Sequence, residues 1–301
     1  MVDFADRVAV VTGAGGGLGR AHALLLASRG AAVVVNDIGG DVHGRGDGAG
    51  AAEAVAEEIR QAGGIAIANH GSVAIPEDAE ALVAEAVDEY GRIDIVINNA
   101  GILRDKSFAN LEWPDLHDVI DVHLKGAFYV TQPAFRHMKE QRYGRIVFTS
   151  SASGLLGNFG QTNYGAAKMG LVGLMNVLKL EAQKYNVKVN SIAPIALTRM
   201  TTELLGEAAQ AFDPAYVSPV VAYFASEDCE VTGEVWSVGG GSVSRMFIGL
   251  TDGIFKKPSE AGPLTIEDVA ASVGDIRDED GYIVPFSGQD EFAKLGPKLI
   301  G

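Results

Sequence analysis

Tyr164 and Lys168 stand four residues apart in NYGAAKMGLVGL, a stretch with helical propensity. In a helix that spacing puts both side chains on one face. A phenol beside an ammonium can exchange a proton with an alcohol near neutrality, because the cation favours phenolate and lowers a pKa that is otherwise about 10. Ser151 lies 13 residues before Tyr164, just past the apolar run RIVFTS, where a hydroxyl can hold a substrate oxygen as its charge changes. A bare Tyr-x-x-x-Lys is common among ordinary surface residues, so the trio needs support from the rest of the chain.

Near the N-terminus an apolar run leads into TGAGGGLG, with Thr12, Gly13, Gly17 and Gly19 spaced as TGxxxGxG, and then into the helix-like RAHALLLAS. Glycine suits a turn with unusual backbone angles that phosphates approach closely, and the free N–H groups of the following helix attract them. Gly13, Gly17, Leu18 and Gly19 are therefore expected at a dinucleotide. Asp37 follows 24 residues beyond Gly13, at the end of VVVND, where a carboxylate can bind a ribose diol and repel a 2′-phosphate. No Lys or Arg lies in the glycine loop, so NAD is expected rather than NADP.

These residues need a frame. Apolar runs bounded by turn residues recur at 8–11, 32–35, 65–68, 93–97, 145–148 and 188–192, and helix-length segments at 19–28, 51–61 and 76–89 fall between the early ones. That alternation predicts an α/β protein with a doubly wound parallel sheet. A run at 235–238, before Gly239, Gly240 and Gly241, completes about seven strands in a core over residues 1–244. Residues 39–50 form a glycine-rich excursion. Residues 245–301 form a C-terminal extension, with Thr265 as the N-cap of a short amphipathic helix that packs on the core or a partner subunit.

A formal net charge of −15 argues against nucleic acid or an anionic membrane as partner. No window has the roughly 20 apolar residues of a membrane span, and the N-terminus lacks a signal-type pattern, so a cytoplasmic location is expected. Cys229 is the one cysteine, which excludes an intramolecular disulfide and leaves no second Cys for a metal site, and no metal is expected.

Together with NNAG at residues 98–101, these motifs make the chain resemble the short-chain dehydrogenase/reductase family over residues 6–244. The resemblance implies a Rossmann-type fold and a homodimer or homotetramer. It also implies support of the sheet and cofactor by Asn99, Ala100 and Gly101, and catalysis by Ser151, Tyr164 and Lys168. VVVNDIGGD, RIDIVINNAGILRDKSF, DVHLKGAF, YGRIVFTSSASGLLGNFGQTNYGAAKMGL and NSIAPIALTRMT narrow it to the (3R)-hydroxyacyl-CoA dehydrogenase unit of peroxisomal multifunctional enzyme type 2 and its bacterial single-domain relatives. The implied reaction is NAD-linked oxidation of a (3R)-hydroxyacyl-CoA, with a hydroxysteroid or steroid side-chain CoA thioester as the alternative substrate. A protein that only senses NAD(H) is the alternative from another class.

Several positions depart from the family pattern. His123 stands where many members have the Asn of a proton relay, and it could serve that relay or fill a polar niche. Ser72, beside Val73, replaces the usual Asp near adenine. Pro194-Ile195 replaces Pro-Gly, and the segment to Thr198 is one residue short, although both Ile195 and Thr198 are still expected near the cofactor. Arg104, Lys106, Arg199 and Arg245 could form a basic mouth for CoA phosphates, or simply be solvated.

Overall fold

The computed structural model describes residues 2–40, 50–196 and 212–300; most of the glycine-rich excursion, Thr198 and Arg199 lie outside them. The chain divides into two compact units, Met1–Arg245 and Met246–Gly301.

The first unit is built on β1 (Val8–Thr12), β2 (Ala32–Asn36), β3 (Ile65–Asn69), β4 (Ile95–Asn98), β5 (Gly144–Thr149), β6 (Val187–Pro194), β7 (Val235–Gly239) and β8 (Ser242–Met246). They form one sheet in the order β3-β2-β1-β4-β5-β6-β7-β8, and every pairing from β3 to β7 is parallel. Every residue of β1, β4 and β5 is buried, as a parallel strand covered on both faces must be, which is why these runs read as continuous Val and Ile.

Among the described residues the sheet has eight strands, not about seven. β8 follows β7 across Gly240 and Gly241, whose φ angles of 56° and 81° suit a tight two-residue turn that sends the chain back antiparallel. The fourth strand begins two residues later than its apolar pattern, at Ile95. The Gln141 side chain takes both backbone groups of Ile93, accepting from its N–H at 3.1 Å and donating to its carbonyl at 2.8 Å.

The flanking helices are α1 (Gly17–Ser28), α2 (Gly50–Gln61), α3 (Pro76–Tyr90), α4 (Trp113–Ile120), α5 (Gly126–Gln141), α6 (Ala152–Leu155), α7 (Thr162–Ala182) and α8 (Ser218–Ala225). A π-helical turn, Asp121–Lys125, joins α4 to α5. Leu26, Ala52, Ile59, Val221 and Phe224 pack with β-strand residues such as Val11, Val33 and Ile97 in one core. Burial of that apolar surface, worth about 25 cal/mol per Å², is the main force holding helices to sheet.

The second unit carries α9 (Pro258–Ala261), α10 (Ile266–Ala271), α11 (Val273–Arg277) and α12 (Gly288–Ile300). Thr265 caps α10 in a reciprocal box: its hydroxyl accepts from Asp268 N–H at 3.1 Å, and the Asp268 carboxylate accepts from Thr265 N–H at 2.9 Å. Within this unit Leu250 and Ile283 exchange backbone hydrogen bonds, and Phe247 stacks on Tyr282. Ile266 and Phe292 are 84% and 77% exposed. Among the described residues, no helix is long and apolar enough to cross a membrane.

Candidate active site

Strand order reverses between β1 and β4, and chain segments leaving a parallel sheet on opposite sides of such a point open a crevice at the strand ends. A cavity of about 550 Å³ lies there. Each of the six strands β1 to β6 delivers a wall residue just beyond its C-terminal end or at it: Gly13, Asp37, Ser72, Asn99, Ser151 and Pro194.

At one end is the glycine loop. Gly13 has φ of 62°, and a Cβ there would stand 2.8 Å from the Ala100 backbone. Gly19 does not line the cavity; its bare Cα lets α1 approach the loop, since a Cβ would meet the Gly13 carbonyl at 2.2 Å. Gly16, Gly17 and Leu18 do line it, and Gly16 caps α1 without a side-chain bond, with open space where its Cβ would be. Asp37 accepts from Gly15 N–H at 2.9 Å and Gly39 N–H at 2.7 Å, which fixes the carboxylate while leaving acceptor positions for a diol. Thr12 and Asn99 brace the loop from below: Thr12 Oγ1 accepts from the N–H groups of Asn99 and Ala100, and Asn99 Nδ2 donates to the carbonyls of Thr12 and Gly13. Open backbone at a helix N-terminus facing an anchored carboxylate fits a dinucleotide.

Ser72 and Val73 line the same wall. The Ser72 hydroxyl accepts from Ala74 N–H, so it serves its own turn. Pro194 lines the cavity but Ile195 does not. Ile195 N–H donates to the Val238 carbonyl, and its carbonyl packs so tightly on Gly239 that it belongs to the β6–β7 junction. Ala196 takes its place, and Asn36, Ile38 and Gly71 add further wall that the glycine and acid motifs did not signal.

At the other end Ser151, Tyr164, Lys168 and His123 come together with Gly101. Ser151 caps the short α6, accepting from Ser153 N–H at 3.1 Å. α6 and α7 touch backbone to backbone: a Cβ on Gly154 would meet Met169 N at 2.8 Å, and one on Gly165 would meet the Ser153 carbonyl at 2.9 Å. That contact, invisible as a motif, sets Ser151 against Tyr164. Asn163, fully buried, donates to the carbonyls of Arg104 and Asp115 and so ties the start of α7 to the segment before α4 and to the first turn of α4 itself.

The electrostatics differ from the expectation that Lys168 makes Tyr164 acidic. Burial pushes the Tyr164 phenol up to about 12, opposed by hydrogen bonding to Ser151 and aided by the Asp105 charge. Burial likewise draws Lys168 down to about 7. Lys168 Nζ donates to the Thr149 carbonyl at 2.6 Å and lies 5.3 Å from the Tyr164 ring centroid, so desolvation outweighs its field at the phenol.

His123 is placed by the π-helical turn, a local feature common at functional sites. Its ring stands edge-on to Tyr164, 5.2 Å between centroids, and meets Gly101, where a Cβ would be impossible. Nε2 is 2.8 Å from the Ile102 carbonyl and 3.0 Å from Ile102 N–H, so either neutral tautomer finds a backbone partner, while Nδ1 is buried without one. Burial first, then the Lys168 charge, holds its pKa well below the ordinary value.

Among the described residues, the cations of the expected basic mouth are already paired. Arg104 pairs with Asp115 and Asp118, Lys106 with Glu112 and Asp115, and Arg245 with Glu234; of these cations only Arg104 lines the cavity.

A family model described as short chain dehydrogenase matches residues 7–209. A Mycobacterium tuberculosis protein named as of the short-chain dehydrogenase/reductase type is 50% identical over 278 residues, 92% of this chain and 96% of that protein. Peroxisomal multifunctional enzyme type 2 of Mus musculus is 52% identical over 244 residues, 81% of this chain but 33% of that enzyme. The solved full-length peroxisomal multifunctional enzyme type 2 from Drosophila melanogaster matches 99% of this chain and 50% of its own, with a TM-score of 0.83 at 39% identity. The chain thus spans nearly all of the mycobacterial protein, but a third and a half of the two multifunctional ones.

Proposed function

The chain belongs to the short chain dehydrogenase family, and from that premise we propose that it oxidises a secondary alcohol with NAD, the substrate being a (3R)-hydroxyacyl-CoA. The observation that carries this reading is the joining of Ser151, Tyr164 and Lys168 to the Asp37 and glycine-loop walls in one cavity. Bound NAD⁺ would supply the hydride acceptor. Gly13, Gly17 and Leu18 would hold it at the phosphates and Asp37 at the ribose, while Ser72, Val73, Asn99, Ala100, Gly101 and Pro194 form the adjoining walls. Asp37 supports NAD over NADP, because a 2′-phosphate would meet its charge.

Ser151 would hydrogen-bond the reacting oxygen, and Tyr164 Oη would exchange the proton with it. A phenol kept protonated by burial is the acid for ketone reduction, so oxidation first requires that proton to leave. Lys168, near neutral charge balance, and His123 are the groups beside Tyr164 able to take part in that transfer. Similarity to the multifunctional enzymes supports the acyl-CoA substrate, and the exposed apolar residues of the second unit support a homodimer in which the extension, residues 245–301, packs on the core or the partner subunit.

The test is turnover of a (3R)-3-hydroxyacyl-CoA and of a free hydroxysteroid, each with NAD⁺ and NADP⁺. Oxidation of the thioester with NAD⁺, lost by about 10²–10⁴-fold in Tyr164→Phe while NADH still binds, is the expected result. Turnover of the steroid alone would replace the substrate, and NADH binding without turnover of any secondary alcohol would indicate a sensor.

A further inference from the structure

Beside Ser151 and Tyr164 the cavity has a polar wall that hydride transfer does not use. Ser153, Asn158 and Gln161 all line it. Ser153 Oγ donates to Gln161 Oε1 at 2.8 Å, Asn158 Nδ2 donates to the same oxygen at 3.0 Å, and Gln161 Nε2 donates to Asp105 Oδ2 at 2.6 Å. Gln161 is the N-cap of α7, yet its side chain makes no capping bond. Three bonds hold it elsewhere, at the cost of the ordinary service of a residue in that place.

The hydrogen-bond inventory says what such a wall can receive. An amide carries two N–H donors, and Gln161 and Asn158 each direct one of theirs within the network. One donor on each is left, and both suit a guest acceptor. Its charge is constrained by Asp105. The neighbouring cations Arg104 and Lys106 are drawn to Asp115, Asp118 and Glu112, and among the described residues no cation pairs with Asp105. A carboxylate placed on Gln161 would meet that unneutralised charge one side chain away, whereas a neutral carbonyl would not. The wall is also close in sequence and space to the reacting pair, since Ser153 N–H donates to Ser151 Oγ and Gln161 lies three residues before Tyr164.

We propose that Gln161, Asn158 and Ser153, with Asp105 bonded to Gln161, form a second substrate subsite. It receives an uncharged carbonyl oxygen adjacent to the reacting carbinol, as in a 3-hydroxyacyl thioester, and disfavours a free carboxylate. The proposal rests on the dehydrogenase reading above and assigns the discrimination to the acyl carbonyl rather than to CoA phosphates.

The experiment measures kcat/KM with NAD⁺ for (3R)-3-hydroxybutyryl-N-acetylcysteamine, free (3R)-3-hydroxybutyrate and 2-pentanol, in the wild type, Gln161→Leu and Asp105→Asn. NADH affinity serves as the check on folding. The wild type should prefer the thioester over both others although it lacks the CoA nucleotide. Gln161→Leu should lower thioester kcat/KM about tenfold more than that of 2-pentanol, chiefly through KM. Asp105→Asn should narrow the gap between thioester and free acid by about tenfold, and this variant decides the matter should Gln161→Leu fail to bind NADH. Equal losses on thioester and 2-pentanol, or a gap to the free acid unchanged in Asp105→Asn, overturn the subsite while leaving the dehydrogenase reading intact. A wild type that turns over none of the three overturns both.

Discussion

Lys168 lies over the ring of Tyr164 at 5.3 Å, the lysine buried and the tyrosine half-buried, so each helps hold the other's environment away from water. The result is a phenol that stays protonated near pH 7, raised to about 12, beside an amine lowered to about 7 that divides between its charged and neutral forms there.

Folding stability should record the lysine. Its ordinary pKa near 10.5 falls to about 7 on folding, so between these values the unfolded chain binds the extra proton and stability rises with pH. The contribution is full above about 10.5 and lost as pH falls through about 7. Denaturant midpoints measured from pH 7 to 10 should climb more in the wild type than in Lys168→Met. Parallel curves would show that Lys168 is charged in the folded chain.

In the proposed reading Asp37 sets the choice of nucleotide. Asp37→Ser removes the carboxylate that two loop N–H groups hold in place, and with it the charge that repels a 2′-phosphate. NAD⁺ affinity should fall about 10- to 100-fold, the scale of a charged hydrogen bond, while NADP⁺ loses less. Paired titrations of NADH and NADPH by fluorescence check the ratio.

For His123, the two tautomers share a backbone partner at Nε2, which lets Nδ1 be bare or protonated without losing that bond. His123→Leu should lower kcat about tenfold or more with NADH affinity unchanged, and His123→Asn should recover part of it. Equal loss of kcat and NADH binding in both variants would mark the histidine as packing alone.

Gly154 tests the seam between α6 and α7. A methyl there must displace the Met169 backbone, so Gly154→Ala should cost about 1–3 kcal/mol in urea unfolding and lower kcat by moving Ser151 away from Tyr164. Full activity in a destabilised variant would separate the seam from catalysis.

Much of this was legible in the residues. The buried strands read as Val and Ile runs, and Thr265 with Asp268 declared its helix start. Ser151, Tyr164, Lys168 and Asp37 announced themselves by type and spacing, and all line one cavity. What escaped depended on long-range packing. Gly19 and Ile195 carry motif positions, and their backbones pack closely against Gly13 and Gly239, which the motif alone does not reveal. β8 depended on two positive-φ glycines after β7. The pairing of Arg104 and Lys106 depended on Asp115, whose single carboxylate meets both across a helix start that no local pattern reveals. The pKa directions reverse the simple pair argument because burial is a property of the whole fold.

The cavity's six strand-end walls are spread from Gly13 to Pro194 along the chain. No fragment that lacks one of these strands keeps the same enclosure, so nucleotide affinity reports the folding of the sheet as one cooperative body. A ligand seated there stabilises that body by RT ln(1 + [L]/Kd), and amide exchange in β1 through β6 should slow by a common factor when it binds.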